Sequence, residues 1–288
     1  MPTWYLKRFR NIALPSTLLA VSALAACAQV GGEATLNREW EACRQDPGGD
    51  YEASIAVCSE VIDAPNTTNV DIARALNNRA IALSRTGREQ QALADFQRAN
   101  AVDPQNANPF YNRGALHFAS GRYDEALADI TRAIALDDAN AQYYNARGLA
   151  YERLNDFDNA FADYSQAIAL EPQMGEWHNS RCWLRATHRR ELDAALADCE
   201  NALEASPNDP FYLDSRGMVH LQRREWRAAI ADYDFALSQD ATLAASYFGR
   251  GVAHLRLGEN TEGQADLTAA RRLDPNVEAR FAAYGVAP

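Results

Sequence analysis

The chain has 288 residues, with 28 basic and 39 acidic side chains and a net charge of −11. So acidic a body argues against a nucleic-acid partner, whose phosphates must be neutralised by Lys and Arg. The length would hold two ordinary globular domains, but internal repetition makes the chain one quasi-linear array instead.

The first element in chain order is an export signal. Lys7, Arg8 and Arg10 precede an uncharged apolar stretch from Ile12 to Ala26. It is too short to span a membrane and has the anatomy of a secretory signal, assigned to residues 1–26. It ends in Leu24, Ala25, Ala26 and Cys27, which resembles the bacterial lipobox, where cleavage precedes the cysteine and the cysteine is acylated. Two readings stand: a lipoprotein anchored through Cys27, or ordinary cleavage after Ala25 or Ala28 that leaves a soluble periplasmic protein. Ala28 after the cysteine points the lipoprotein to the outer membrane, by analogy with enterobacterial sorting. Removing residues 1–26 takes three basic and no acidic residues, so 25 against 39 leaves a charge of −14.

Residues 27–35 read as a tether and residues 36–64 as a short, degenerate helical hairpin. From residue 73 the chain repeats. Arg79, Arg113, Arg147, Arg181, Arg216 and Arg250 are each followed by a small residue, Ala80, Gly114, Gly148, Cys182, Gly217 or Gly251. The step is 34 residues, once 35, and the extra residue is expected in the turn from His188 to Leu192. Three more series keep step: Ala99 to Ala270, Ala92 to Gly263, and Pro104 to Pro275. Each unit carries apolar residues at spacings of three and four on both sides of a short turn signal such as Ser120–Gly121–Arg122. That pattern is two helices, and so short a turn makes them antiparallel. A glycine inside a helix costs roughly 1 kcal/mol against alanine. Gly148 is therefore read as a packing residue, its missing side chain letting the facing helix approach at Ala160.

A 34-residue helix–turn–helix unit with small residues at its eighth and twentieth positions, alanine at the twenty-seventh and proline near the end resembles the tetratricopeptide repeat. The resemblance implies an all-α, right-handed superhelical solenoid of six repeats, 73–106, 107–140, 141–174, 175–209, 210–243 and 244–277. Residues 278–288 follow as a capping helix closed by Gly285. The aromatic of the eleventh position is kept only at Tyr151; His117, His220 and His254 stand there in three repeats, with Leu83 and Arg185 in the others.

The resemblance also implies a non-catalytic function: binding a peptide or helical segment of another protein on the concave surface. Positions two, five, nine and twelve of each first helix line that surface, which places Tyr111, Phe118, Asn145, Asn179, Trp183, Phe211, Met218 and Phe248 in the groove. The lysine clamp that some members use for C-terminal carboxylates is absent, so an apolar partner segment fits better. In layout the chain resembles NlpI-type adaptor lipoproteins and the secretin pilotins, which the sequence does not separate; a homodimer is compatible with either. An enzyme would need an uncommitted segment to carry its chemistry, and none is long enough. The five histidines show no metal-ligand spacing, no phosphate loop or nucleophile elbow occurs, and no cofactor or metal is expected.

Two features recur without being absorbed by the groove. Asp95, Asp129, Asp163, Asp198, Asp232 and Asp266 follow the six arginines by 16 or 17 residues and are read as ion pairs tying helices together. With Cys27 given to lipid, four cysteines remain. Cys43–Cys58 and Cys182–Cys199 each span one hairpin, and crossed pairings would exceed the roughly 7 Å Cα limit. An exported protein favours both as disulfides.

Overall fold

The structure, a computed structural model, describes Cys43 and residues 49–288. The expected signal segment, Cys27, the tether and nearly all of the first helix of the degenerate hairpin lie outside the described residues. Every element bounded among those residues is an α-helix. In chain order they are α1 (Tyr51–Asp63), α2 (Asn69–Arg85), α3 (Glu89–Val102), α4 (Ala107–Ala119), α5 (Tyr123–Leu136), α6 (Ala141–Arg153) and α7 (Phe157–Leu170). Then come α8 (Gly175–His188), α9 (Leu192–Ala205), α10 (Pro210–Gln222), α11 (Trp226–Gln239), α12 (Ala244–Arg256), α13 (Asn260–Leu273) and α14 (Val277–Ala283).

The described residues fall into two compact units, one ending at Asp138 and one running from Ala139 to Pro288. In the first, α2 pairs with α3 and α4 with α5; in the second, the pairs are α6–α7, α8–α9, α10–α11 and α12–α13. Adjacent pairs within each unit stack as in a tetratricopeptide solenoid. Helix starts are locally encoded: Thr68, Asn106, Asn140 and Asp209 each accept a hydrogen bond from a backbone N–H of the first turn, which satisfies a donor that the helix itself leaves free.

Each pair turns through one left-handed residue at the same register: Gly87, Gly121, Asn155, Arg189, Arg224 and Gly258. The residue after it donates its N–H back to the fifth residue before it, as Arg122 does to the His117 carbonyl at 2.9 Å and Glu225 to the His220 carbonyl at 2.9 Å. This is the Schellman closure that ends a helix without orphaned carbonyls. The extra residue of the 35-residue step lies where the sequence puts it. Between α8 and α9 the turn holds two left-handed residues, Arg189 and Glu191, and the helices on either side keep their register.

The helices of a pair meet through a contact that differs in detail from the expected one. A Cβ added at Gly148 would lie 2.7 Å from Tyr164 Cε1, so the Tyr164 ring is the nearest group to the space the glycine leaves. The Ala126 carbonyl at Gly114 and the Gly263 carbonyl at Gly251, both at the register of Ala160, keep the expected close approach, and beside it stand the side chains of Ile130 at Gly114, Tyr233 at Gly217 and Leu267 at Gly251. These residues belong to a further series, Phe96, Ile130, Tyr164, Cys199, Tyr233 and Leu267, all fully buried. Where the first helix has Cys182 in place of glycine, the series has Cys199, and the two form a disulfide across a Cα separation of 5.4 Å. Cys43 and Cys58 are bonded likewise, with Cα atoms 5.0 Å apart. Alanines at 99, 133, 167, 202, 236 and 270, none of them accessible, let the backbones pass close elsewhere.

Candidate partner-binding surface

The six Arg/Asp pairs all form, each within one hairpin. In every one the arginine donates Nε–H to one carboxylate oxygen and an Nη2–H to the other, at 2.6 to 2.9 Å. This bidentate fork is the strongest geometry a guanidinium offers a carboxylate. Arg147 is held above its ordinary range by its hydrogen bond to Asp163. The Asp163 carboxyl is itself raised, because the cost of burying it outweighs the pull of Arg147. The dehydration of both ions offsets part of what the fork returns in stability.

The variable eleventh position supports these pairs. His117 Nε2 lies 3.8 Å from Asp129 and His220 Nε2 lies 3.6 Å from Asp232, while the other ring nitrogen of His220 contacts Glu225 at 2.6 Å. Arg185, at the same position, is buried and pairs with both Asp198 and Glu191. At Tyr151 the ring instead lies under the Arg147 guanidinium, 5.9 Å away.

The residues assigned to the groove are far more enclosed than open lining would be. In the first unit Tyr111 and Phe118 are buried, Phe118 edge-on to Tyr123 at 5.4 Å. In the second, Asn145, Asn179, Trp183, Met218 and Phe248 are buried and Phe211 is half-buried. For the C-terminal repeats one cause is a covering segment. Residues 277–288 do not simply close the end of the array. The Phe281 ring sits 4.6 Å from that of Phe248, and Tyr284 meets Trp183 edge-on at 5.7 Å. Gln222 donates to the Tyr284 carbonyl at 2.9 Å, and Arg256 to the Ala287 carbonyl at 3.0 Å. The terminal segment therefore crosses α12, α10 and α8 on the face of positions five, nine and thirteen.

Polar groups on that face are unusual. The Oδ1 atoms of Asn145 and Asn179 are buried and have no hydrogen-bond partner among the described residues. Such an acceptor costs about 1–3 kcal/mol until a donor reaches it. Asp214 is also enclosed. It accepts from Ser246 Oγ at 2.5 Å, and desolvation pushes its carboxyl up to about 6, against the opposing effects of that hydrogen bond and of the Arg280 charge. Burial likewise raises the phenols of Tyr233 and Tyr284.

Among the described residues, no three His, Cys, Asp or Glu side chains are grouped to hold a metal, and no helix is long and apolar enough to cross a membrane. Two features of the site were not read from the sequence: the buried series from Phe96 to Leu267, visible as a 34-residue period whose identity changes at each step, and the destination of Phe281 and Tyr284, for which the repeat offers no signal.

Residues 73–106, 111–175 and 215–278 match the family described as tetratricopeptide repeat. Curated proteins gave no match. Among solved structures, a tetratricopeptide repeat protein from Parabacteroides merdae is 18% identical, covering 88% of this chain and 97% of that one, with a TM-score of 0.67. PilF of Pseudomonas aeruginosa is 17% identical over 76% of this chain and 99% of its own, with a TM-score of 0.62. A chain of the APC/C hetero-tetramer Cut9–Hcn1 is 15% identical over 88% of this chain and 52% of that one, with a TM-score of 0.68. At these identities the likeness establishes the fold, a fold that commonly mediates protein–protein interaction.

Proposed function

The chain belongs to the tetratricopeptide-repeat family, and on that premise we propose that it is a non-catalytic scaffold of the bacterial envelope. Its signal sequence exports it, acylated Cys27 anchors it at the outer membrane, and the inner face of its first helices binds a segment of an envelope protein. The observation that carries the binding reading is the pair of buried, unanswered carbonyl oxygens on Asn145 and Asn179. They stand at the same position of successive repeats, where the backbone N–H groups of an incoming segment would satisfy both. Anchoring rests on the apolar segment ending at Cys27 and is consistent with two disulfides, which persist in an oxidising compartment.

The test has two readouts. Intact-mass measurement of the membrane-fraction protein should show diacylglycerol on an N-terminal Cys27; a soluble form beginning at Ala26 or Gln29 would overturn the anchor. Cross-linking in isolated envelopes should capture a defined partner with the wild type and lose it with Asn145→Ala/Asn179→Ala. Equal capture by that variant, with unchanged helix content, would remove the inner face from the binding site.

A further inference from the structure

The geometry points to residues 277–288 as an internal, displaceable ligand of the inner face of the last three repeats, whose true partner is a segment of the same chemical order. This rests on the binding reading above and names the chemistry of what binds. The repeat architecture is complete at Leu273, where α13 closes its hairpin with α12 through Arg250 and Asp266. Gly285 falls 34 residues after Gly251, so a seventh first helix would place it in the helix interior. Instead α14 stops at Ala283 and Gly285 takes a left-handed φ of +71°. The chain then runs on beside the Arg189 side chain, whose Nη1 would lie 3.0 Å from any Cβ at 285. The segment is laid on the inner face as a bound peptide would be, through ring contacts and two backbone carbonyls.

Its order of groups reads as a recognition pattern. Arg280 is paired with Asp274 at 2.7 Å, with its charge also felt by Asp214; Phe281 meets Phe248; and three residues on, Tyr284 meets Trp183. The Tyr284 and Ala287 carbonyls then accept hydrogen bonds from Gln222 and Arg256. The fit past Tyr284 is incomplete. A cavity of about 360 Å³ remains beside Gly285, Val286 and Ala287, bordered by Leu221, Val252, Arg189, Arg224 and Arg256. None of those three arginines has a carboxylate partner among the described residues. A segment with a basic residue, two aromatics three apart, and then larger apolar and acidic side chains would fill what residues 285–287 leave empty. Tethering gives that end an effective concentration on the order of millimolar, so it masks the surface against weak binders and yields to better ones.

The probe is a fluorescein-labelled synthetic peptide of Asp274–Pro288, titrated by anisotropy against the full chain and against its Phe281→Ser/Tyr284→Ser variant. The variant should bind the peptide at least tenfold tighter than the wild type. A peptide carrying Val286→Leu/Ala287→Asp should bind the variant several-fold tighter again, and one carrying the two serines should not bind. If the variant keeps its helix content yet binds no better than the wild type, the inference is overturned. If it loses helix content, the segment is core rather than ligand, and the inference is equally overturned. Failure of the peptide alongside envelope capture that still depends on Asn145 and Asn179 removes only this inference; the converse removes only the envelope reading.

Discussion

Tyr164 occupies the side-chain space that Gly148 vacates: a methyl at 148 would sit 2.7 Å from the ring's Cε1 and 2.9 Å from Cδ1. The glycine's conformational cost of about 1 kcal/mol is offset by a fully buried ring inserted between α6 and α7. The same register carries Gly217 with Tyr233 and, in covalent form, Cys182 with Cys199. The hairpins thus use one contact in several chemical versions.

Gly148→Ala should lower stability in urea unfolding by about 1–3 kcal/mol, the usual cost of overpacking, despite alanine's better helix propensity. In a double-mutant cycle, Tyr164→Leu should return part of the loss, because the obstacle is a side chain and not backbone. Additive effects would mean that the two residues are not each other's packing partners.

Reducing Cys182–Cys199, or replacing both by alanine, should destabilise the chain by about 3 kcal/mol in the chain-entropy picture. Cys182→Gly/Cys199→Tyr, which restores the pairing used by its neighbours, should recover more stability than the alanine pair. Thermal melts of the three proteins decide it.

The buried Asp214 predicts a pH dependence with a definite sign. Its carboxyl titrates at about 6 in the folded chain and near 4 when unfolded. The folded state thus holds a proton that the unfolded chain has released. The resulting stabilisation is full below about pH 4 and is lost as pH rises through 6. The groups facing it are Ser246, Arg280, Tyr233 and Tyr284. Asp214→Asn keeps the acceptor for Ser246 and removes the titration. Its melting temperature should gain on the wild type between pH 4 and 7, and a constant difference across that range would contradict the assignment.

Asp163→Ala strands the half-buried Arg147 guanidinium and should cost about 3–5 kcal/mol. Arg147→Met/Asp163→Leu should cost far less, since burial already offsets much of what the pairing returns. Chemical denaturation of the single and double variants measures both.

Much of the fold was legible because it repeats. Gly114, Gly148, Gly217 and Gly251 announce the hairpin contact, and the arginines and aspartates announce their pairs, since each recurs in kind as well as in spacing. The Tyr164 ring beside Gly148 is not legible in the sequence, because residue identity alternates among Phe, Ile, Tyr, Cys and Leu at its register; volume is kept there only jointly with the slot it fills. The inner-face register at Trp183, Met218 and Phe248 was legible too, but its covering was not. A single non-repeating contact between Tyr284 and Trp183, about a hundred positions apart, leaves no period to detect. Trp183→Ala removes a buried ring and should lower stability by about 3–5 kcal/mol as well as weaken binding.

The one-residue insertion between α8 and α9 has a consequence for how the molecule comes apart. The turn absorbs it through Arg189 and Glu191 without disturbing either neighbour, because each hairpin closes its own turn, its own charge pair and its own buried interhelix contact. A chain assembled from such self-completed units lacks an all-or-none character. Local opening should therefore differ from hairpin to hairpin, with amide exchange fastest in the least protected hairpin and slowest near Cys182–Cys199.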